Sequence, residues 1–176
     1  SFSFWQKHYK ALQSYFPESL NQVDCHSFYK GINKVKPSFI RVEADELSYN
    51  LHVMLRFEIE QEMLMGKLVA KDLPEAWNHK MQSYLNLKVD KDSNGCLQDI
   101  HWSILGFGYF PTYTIGNLCA AQFLEVAKSQ DETIFADLEN GNTASLLQWL
   151  RVNIHSYGRI LTPKELVHKI TNKKIT

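Results

Sequence analysis

The sequence predicts an all-α fold, and three observations carry that expectation. Apolar residues recur at three- and four-residue steps through nearly every segment. No alternating strand pair or hairpin signal appears. The breaks between segments carry residues that start and stop helices. With 176 residues, 44% hydrophobic and 22% charged, the chain is long enough for one domain with a substantial core.

The first helix is expected from Phe2 to Tyr15, with Trp5, Tyr9 and Leu12 on its apolar face and Pro17 beyond its end. A second covers about Asp24 to Val35, weakened by Gly31. Pro37-Ser38 opens a long central helix running to Met65, with Ser38 as N-cap, Glu43, Asp45 and Glu46 near the positive end of the dipole, and Gly66 beyond its end. Leu73-Pro74 starts the next, which buries Trp77, Met81, Tyr84 and Leu85. From Asn86 to Pro111 the pattern is irregular, with a turn at Asn94-Gly95 and glycines at 106 and 108. Such a segment in a helical domain carries function or is disordered, and this one is too aromatic for disorder. Helices resume over Thr114–Lys128, Asp131–Leu138, Thr143–His155 and Thr162–Ile170, the last opened by the capping box Thr162-Pro163-Lys164-Glu165.

Lys plus Arg equals Asp plus Glu at 19 each, so nothing recommends a nucleic-acid or anionic-membrane partner. No apolar run approaches a membrane span. The cysteines at 25, 96 and 119 form no CxxC pair, which points to reduced thiols and a cytoplasmic setting. The chain opens on Ser1-Phe2-Ser3-Phe4-Trp5 at full aromatic density and ends in a helical pattern, so it is expected to be part of a longer one.

Two constellations carry chemistry. At 100° per residue, Asp45, Tyr49, His52, Arg56 and Glu60 fall on one face of the central helix, and Leu47, Leu51, Met54, Leu55 and Ile59 on another. The polar stripe reads either as a solvated face of i,i+4 pairs or as the wall of a polar cavity suited to carboxylates and amides. The second constellation, Gly95-Cys96-Leu97-Gln98-Asp99-Ile100-His101-Trp102, lies in the irregular segment just before Phe107 to Tyr113.

Together these stretches resemble the thermostable carboxypeptidase (Taq carboxypeptidase) family of zinc metallocarboxypeptidases. Ile40 to Asp45 matches its I(R/A/S)xxAD motif, and Gly95 to Trp102 matches GxxQDxHW at every fixed position. The flanking run Ala44 to His52, the stretch Phe107 to Tyr113 and Gly116-Asn117 are similar too, so the likeness covers essentially the whole chain. Ile104-Leu105-Gly106 departs from the small polar residues expected after His-Trp.

The resemblance implies the C-terminal portion of one elongated, mostly helical catalytic domain with a deep groove. It also implies a homodimeric enzyme that removes C-terminal residues from peptides. In that family the zinc ligands come from HEXXH and HES segments, and neither occurs among these residues. The chain is therefore expected to hold no metal ligand, and to be inactive without the missing N-terminal half of the enzyme. By the same resemblance Arg41 would bind the substrate carboxylate, with Tyr109 or Tyr113 donating to that carboxylate or to the oxyanion. Asp99 and His101 would stand close to zinc without ligating it. Asp45, Tyr49, His52, Gln98 and Trp102 complete the candidate substrate-binding set. Open alternatives are a salt bridge of Arg41 to Glu43 or Asp45, and an Asp45 that merely begins the helix's charge pattern. For the chain as a whole, the alternative is a non-catalytic remnant acting as a peptide-binding or interaction module.

Overall fold

Helices and short turns make up the protein, and no strand occurs among the described residues, 1–175 of a computed structural model. The chain divides into two compact units: Ser1–Ile32 with Asn117–Thr176, and Asn33–Gly116.

The first unit begins with α1 (Phe2–Tyr15), whose Phe4 amide donates to Ser1 Oγ, and continues through the single turn of α2 (Pro17–Leu20) to α3 (Cys25–Ile32). The α3 helix is shorter than the predicted Asp24–Val35. Asp24 Oδ1 accepts the amides of His26 and Ser27, which fixes its start. Trp5 and Tyr9 of α1 pack on Phe28 of α3 with ring centroids 4.8 and 5.0 Å apart.

The second unit holds α4 (Tyr49–Leu64) and α5 (Leu73–Leu85). Chain continuity then passes through α6 (Pro111–Gln130), which starts at Pro111 where the sequence suggests Thr114. In the first unit, α6 is followed by α7 (Thr133–Glu139), α8 (Ala144–Asn153) and α9 (Pro163–Thr171). Ala127, Ile134 and Trp149 are buried there among Phe123, Leu138, Leu146 and Ile170. The predicted capping box is formed: Thr162 Oγ1 accepts from the Glu165 amide, and the Glu165 carboxylate accepts from the Thr162 amide.

In the second unit, Leu55 and Ile59 of α4 pack on Trp77, Met81 and Leu85 of α5, with Cys96 closing the cluster. Each such apolar side chain contributes about 1.5–3 kcal/mol on burial. Trp77 thus takes the packing role the sequence assigns it, and Trp149 is buried in the first unit.

The central helix departs most from expectation. Ser38 is not its N-cap: Arg41–Glu43 forms a separate 3-10 turn between extended Ile40 and Ala44, and the helix proper starts at Tyr49. Asp45 is the cause. Its Oδ1 accepts the amides of Leu47 and Ser48 at 2.9 and 3.0 Å, and its Oδ2 accepts Ser48 Oγ at 2.7 Å and the Lys36 amide at 3.1 Å. A short carboxylate that satisfies amides two and three residues ahead closes a local loop that competes with helix. Those donors also hold the Asp45 carboxyl below the usual carboxylate range, the Ser48 hydroxyl foremost.

The expected apolar stripe is corrected as well. Leu55 and Ile59 are buried, but Leu47 and Met54 are exposed, along with Phe57 between the two stripes.

Candidate functional site

One face of α4 meets the loop of residues 95–102 in the second unit, and the candidate residues gather there. Steps of four from His52 to Arg56 and Glu60 put three polar side chains on one face, as the sequence indicates. The face lines no open cavity: His52 and Arg56 are 0% exposed and Glu60 is 1% exposed. The loop covers Arg56 and Glu60.

Glycine lets the loop lie that close. A Cβ at Gly95 would stand 3.1 Å from Val89 Cγ1 and 3.4 Å from Trp77 Cδ1. Gln98 then knits two backbone segments together, around Phe39–Arg41 and Asn94–Gly95. Its Nε2 lies 3.0 to 3.2 Å from the carbonyl oxygens of Phe39, Asn94 and Gly95, which share its two N–H donors. Its Oε1 accepts the Arg41 amide at 2.9 Å and Arg56 Nη2 at 2.7 Å.

Asp99 is the hub. Its Oδ1 accepts Arg41 Nη2 at 2.8 Å and Arg41 Nε at 3.2 Å, while its Oδ2 accepts Arg56 Nε at 2.7 Å. Arg41 Nη1 also donates to the Tyr49 hydroxyl at 2.9 Å, and Arg56 Nη1 to the His52 carbonyl at 2.7 Å. The Arg41 guanidinium lies 4.6 Å from the Tyr113 ring centroid, and that of Arg56 4.5 Å from the Trp77 ring. Arg41 therefore pairs with neither Glu43 nor Asp45.

Burial opposes every charge in the cluster, and the outcome differs by residue. Burial alone would raise the Asp99 carboxyl, but the charge of Arg56 and the hydrogen bonds of both arginines hold it below the usual range. Burial would likewise lower Arg41, yet hydrogen bonding to Asp99 leaves its guanidinium above its ordinary value. For Arg56 burial wins, lowering it to about 10, still well above neutrality. His52 falls to about 4 through burial and the positive charges of Arg56 and Arg41, so it is neutral at pH 7. Its ring nitrogens make no well-formed hydrogen bond, and a weak contact with the Ser38 backbone only partly offsets the lowering. With His52 neutral, two guanidiniums share the Asp99 carboxylate, which leaves one positive charge unmatched within these contacts.

His101 borders this hub. Its Nε2 is 3.1 Å from the Tyr113 hydroxyl and its Nδ1 is 3.8 Å from Asp99 Oδ1. Its ring packs on Phe110 at 4.3 Å and reaches Tyr109, which is 52% exposed, at 5.4 Å. Arg41, Tyr49, Gln98, Asp99, His101 and Tyr113 thus form one connected group. Asp45 stands apart in its own loop, His52 lies beneath the hub, and the Trp102 indole turns to Glu60. The sequence puts Arg56 on the stripe that would line a groove and Glu60 on the same face, without counting either among the substrate-binding residues. Their positions four and eight residues after His52 were the available signal.

The family model for carboxypeptidase Taq (M32) metallopeptidases matches residues 1–176. The chain belongs to that family. Carboxypeptidase 1 of Bacillus subtilis is 38% identical to it over 172 residues, covering 98% of this chain and 34% of that protein. Thermostable carboxypeptidase 1 of Thermus thermophilus is 39% identical over 173 residues, with the same coverage of each chain. The crystal structure of the M32 carboxypeptidase from Deinococcus radiodurans superposes with a TM-score of 0.89 at 41% identity, covering 100% of this chain and 36% of that one. The chain therefore spans about a third of the length of these M32 relatives.

Zinc, which membership of the M32 family implies, does not fit the residues present. Among the described residues, no group of three or more His, Cys, Asp and Glu side chains could hold a metal ion. His101 and Asp99 stand side by side, but both oxygens of Asp99 are occupied by guanidinium donors.

Proposed function

We propose that this chain supplies the carboxylate-binding part of a zinc metallocarboxypeptidase that removes C-terminal residues from peptides. The zinc ligands would lie outside the chain, in an N-terminal portion of the same catalytic domain. The observation that carries the reading is the charge of the hub. Arg41 and Arg56, both buried, share the single carboxylate of Asp99, and the Arg41 guanidinium lies beside the His101–Tyr113 pair and the exposed Tyr109.

A peptide's terminal carboxylate matches that charge, and the phenols of Tyr109 and Tyr113 are donors of the kind that orient it. Arg41 would draw the carboxylate while Asp99 and Tyr49 hold its guanidinium in place. Gln98 and Trp102 would set the loop, and His101 would move or hold a proton on Tyr113. Asp45 would act only by fixing the backbone that carries Arg41, and His52 only from beneath the hub. The exposed apolar side chains of Met54, Phe57, Leu64 and Met65 support contact with further chain or with a second copy in a homodimer. No helix of the described residues is long and apolar enough to cross a membrane. The three cysteines are free, which supports a cytoplasmic setting.

Calorimetry with N-acetyl-Ala-Phe and its C-terminal amide tests the reading. The acid is expected to bind this chain at least about 10-fold more tightly, since one charge-assisted hydrogen bond is worth about 1.5–3 kcal/mol. Arg41→Met should erase the difference. Equal affinity for acid and amide in the parent chain would refute carboxylate recognition.

A further inference from the structure

Glu60 is absent from the group just described, yet it is 1% exposed and both its oxygens are engaged. Oε1 accepts the Trp102 indole N–H at 2.9 Å, and Oε2 accepts the Gly108 amide at 3.1 Å. The two donors bracket a turn that needs holding. Within it the Gly106 amide donates back to the His101 carbonyl at 2.7 Å, so close that a Cβ on Gly106 would stand 2.9 Å from that oxygen. Leu105 is left-handed at φ 60°, a conformation unfavourable for a residue with a Cβ. Its side chain is 84% exposed and so adds little packing to offset that strain. A strained turn persists only where its surroundings fix it.

The pinned ends lead directly to the His101–Tyr113 pair. Trp102 follows His101 in sequence. Gly108 leads through Phe110, which packs on His101, into the first turn of α6, where Tyr113 stands. We propose that Glu60 is a positioning residue whose carboxylate, by pinning Trp102 and Gly108, sets the spacing between His101 and Tyr113. This rests on the carboxylate-binding function of that pair. A carboxylate suits the task because it offers two acceptors and no donor. Glutamine has the same shape but turns an NH₂ against one of the two N–H groups.

Nuclear magnetic resonance of the Glu60→Gln chain tests this. Helix content and the resonances of the first unit should match the parent. The Gly108 amide or the Trp102 indole resonance should shift, and the Overhauser contact between the His101 and Tyr113 rings should weaken at least about twofold. Affinity for N-acetyl-Ala-Phe should fall about 10-fold, with no change for the amide. Trp102→Phe, which keeps an aromatic ring and removes only the indole donor, should act in the same direction and serves if the first variant fails to fold. An unchanged His101–Tyr113 contact in a folded variant would overturn the proposal. A parent chain that binds acid and amide equally would instead overturn the function on which it rests, while the ring contact still judges Glu60.

Discussion

Asp99→Asn is expected to destabilise the second unit by about 3–5 kcal/mol, the range for breaking a buried ion pair by removing one partner. The substitution keeps the shape but removes the charge that two buried guanidiniums share, and it sets an NH₂ against Arg56 or Arg41. Domains of this size have about 5–15 kcal/mol in all, so unfolding of this unit should become visible near room temperature. Urea titration followed by circular dichroism measures it. Adding Arg56→Met should restore part of the loss, because it removes one of the two guanidinium charges left without Asp99. An unchanged urea midpoint for Asp99→Asn would show that Asp99 does not organise the cluster.

The second large effect is a loss of stability in mild acid that traces to His52. Its folded pKa, about 4, lies below its ordinary value of 6.5, so the unfolded chain takes up the proton first as pH falls. The stability is complete above pH 6.5 and is lost between 6.5 and about 4, amounting to about 3 kcal/mol. Asp99, whose folded pKa is also lowered, adds to the loss at still lower pH. His52→Leu should flatten the slope between pH 6.5 and 4.5 at modest cost at pH 7, because the ring nitrogens make no well-formed hydrogen bond and only a weak contact with the Ser38 backbone would be lost. Urea midpoints of the two chains at pH 7 and pH 4.5 decide it. Parallel slopes would show that His52 is not the group that titrates.

Particular residues show what was legible in the sequence. The period of α4 placed Tyr49, His52, Arg56 and Glu60 on one face because that spacing follows from helix geometry alone. The start of the helix was not legible from Ser38, since the decisive event is Asp45 folding back onto the amides of Leu47 and Ser48. Periodicity carries no trace of such a competing side-chain bond. Nor could it show that the polar face is sealed. That depends on Gln98 and Asp99, more than forty positions on from Arg56, whose partners are set by tertiary packing. The motif around Gly95 was plain as a string of residues. Its close approach to Val89 and Trp77 became intelligible only in three dimensions.

The proposed function has this chain recognise the peptide terminus and depend on zinc-ligating residues outside itself. The most direct measurement is zinc content and release of C-terminal residues, made on this chain alone and on the chain joined to an HEXXH-bearing portion of the protein. The account predicts bound zinc and zinc-dependent release in the joined protein only. Zinc-dependent release by the 176 residues alone would contradict it, because the metal site would then lie within the residues described here.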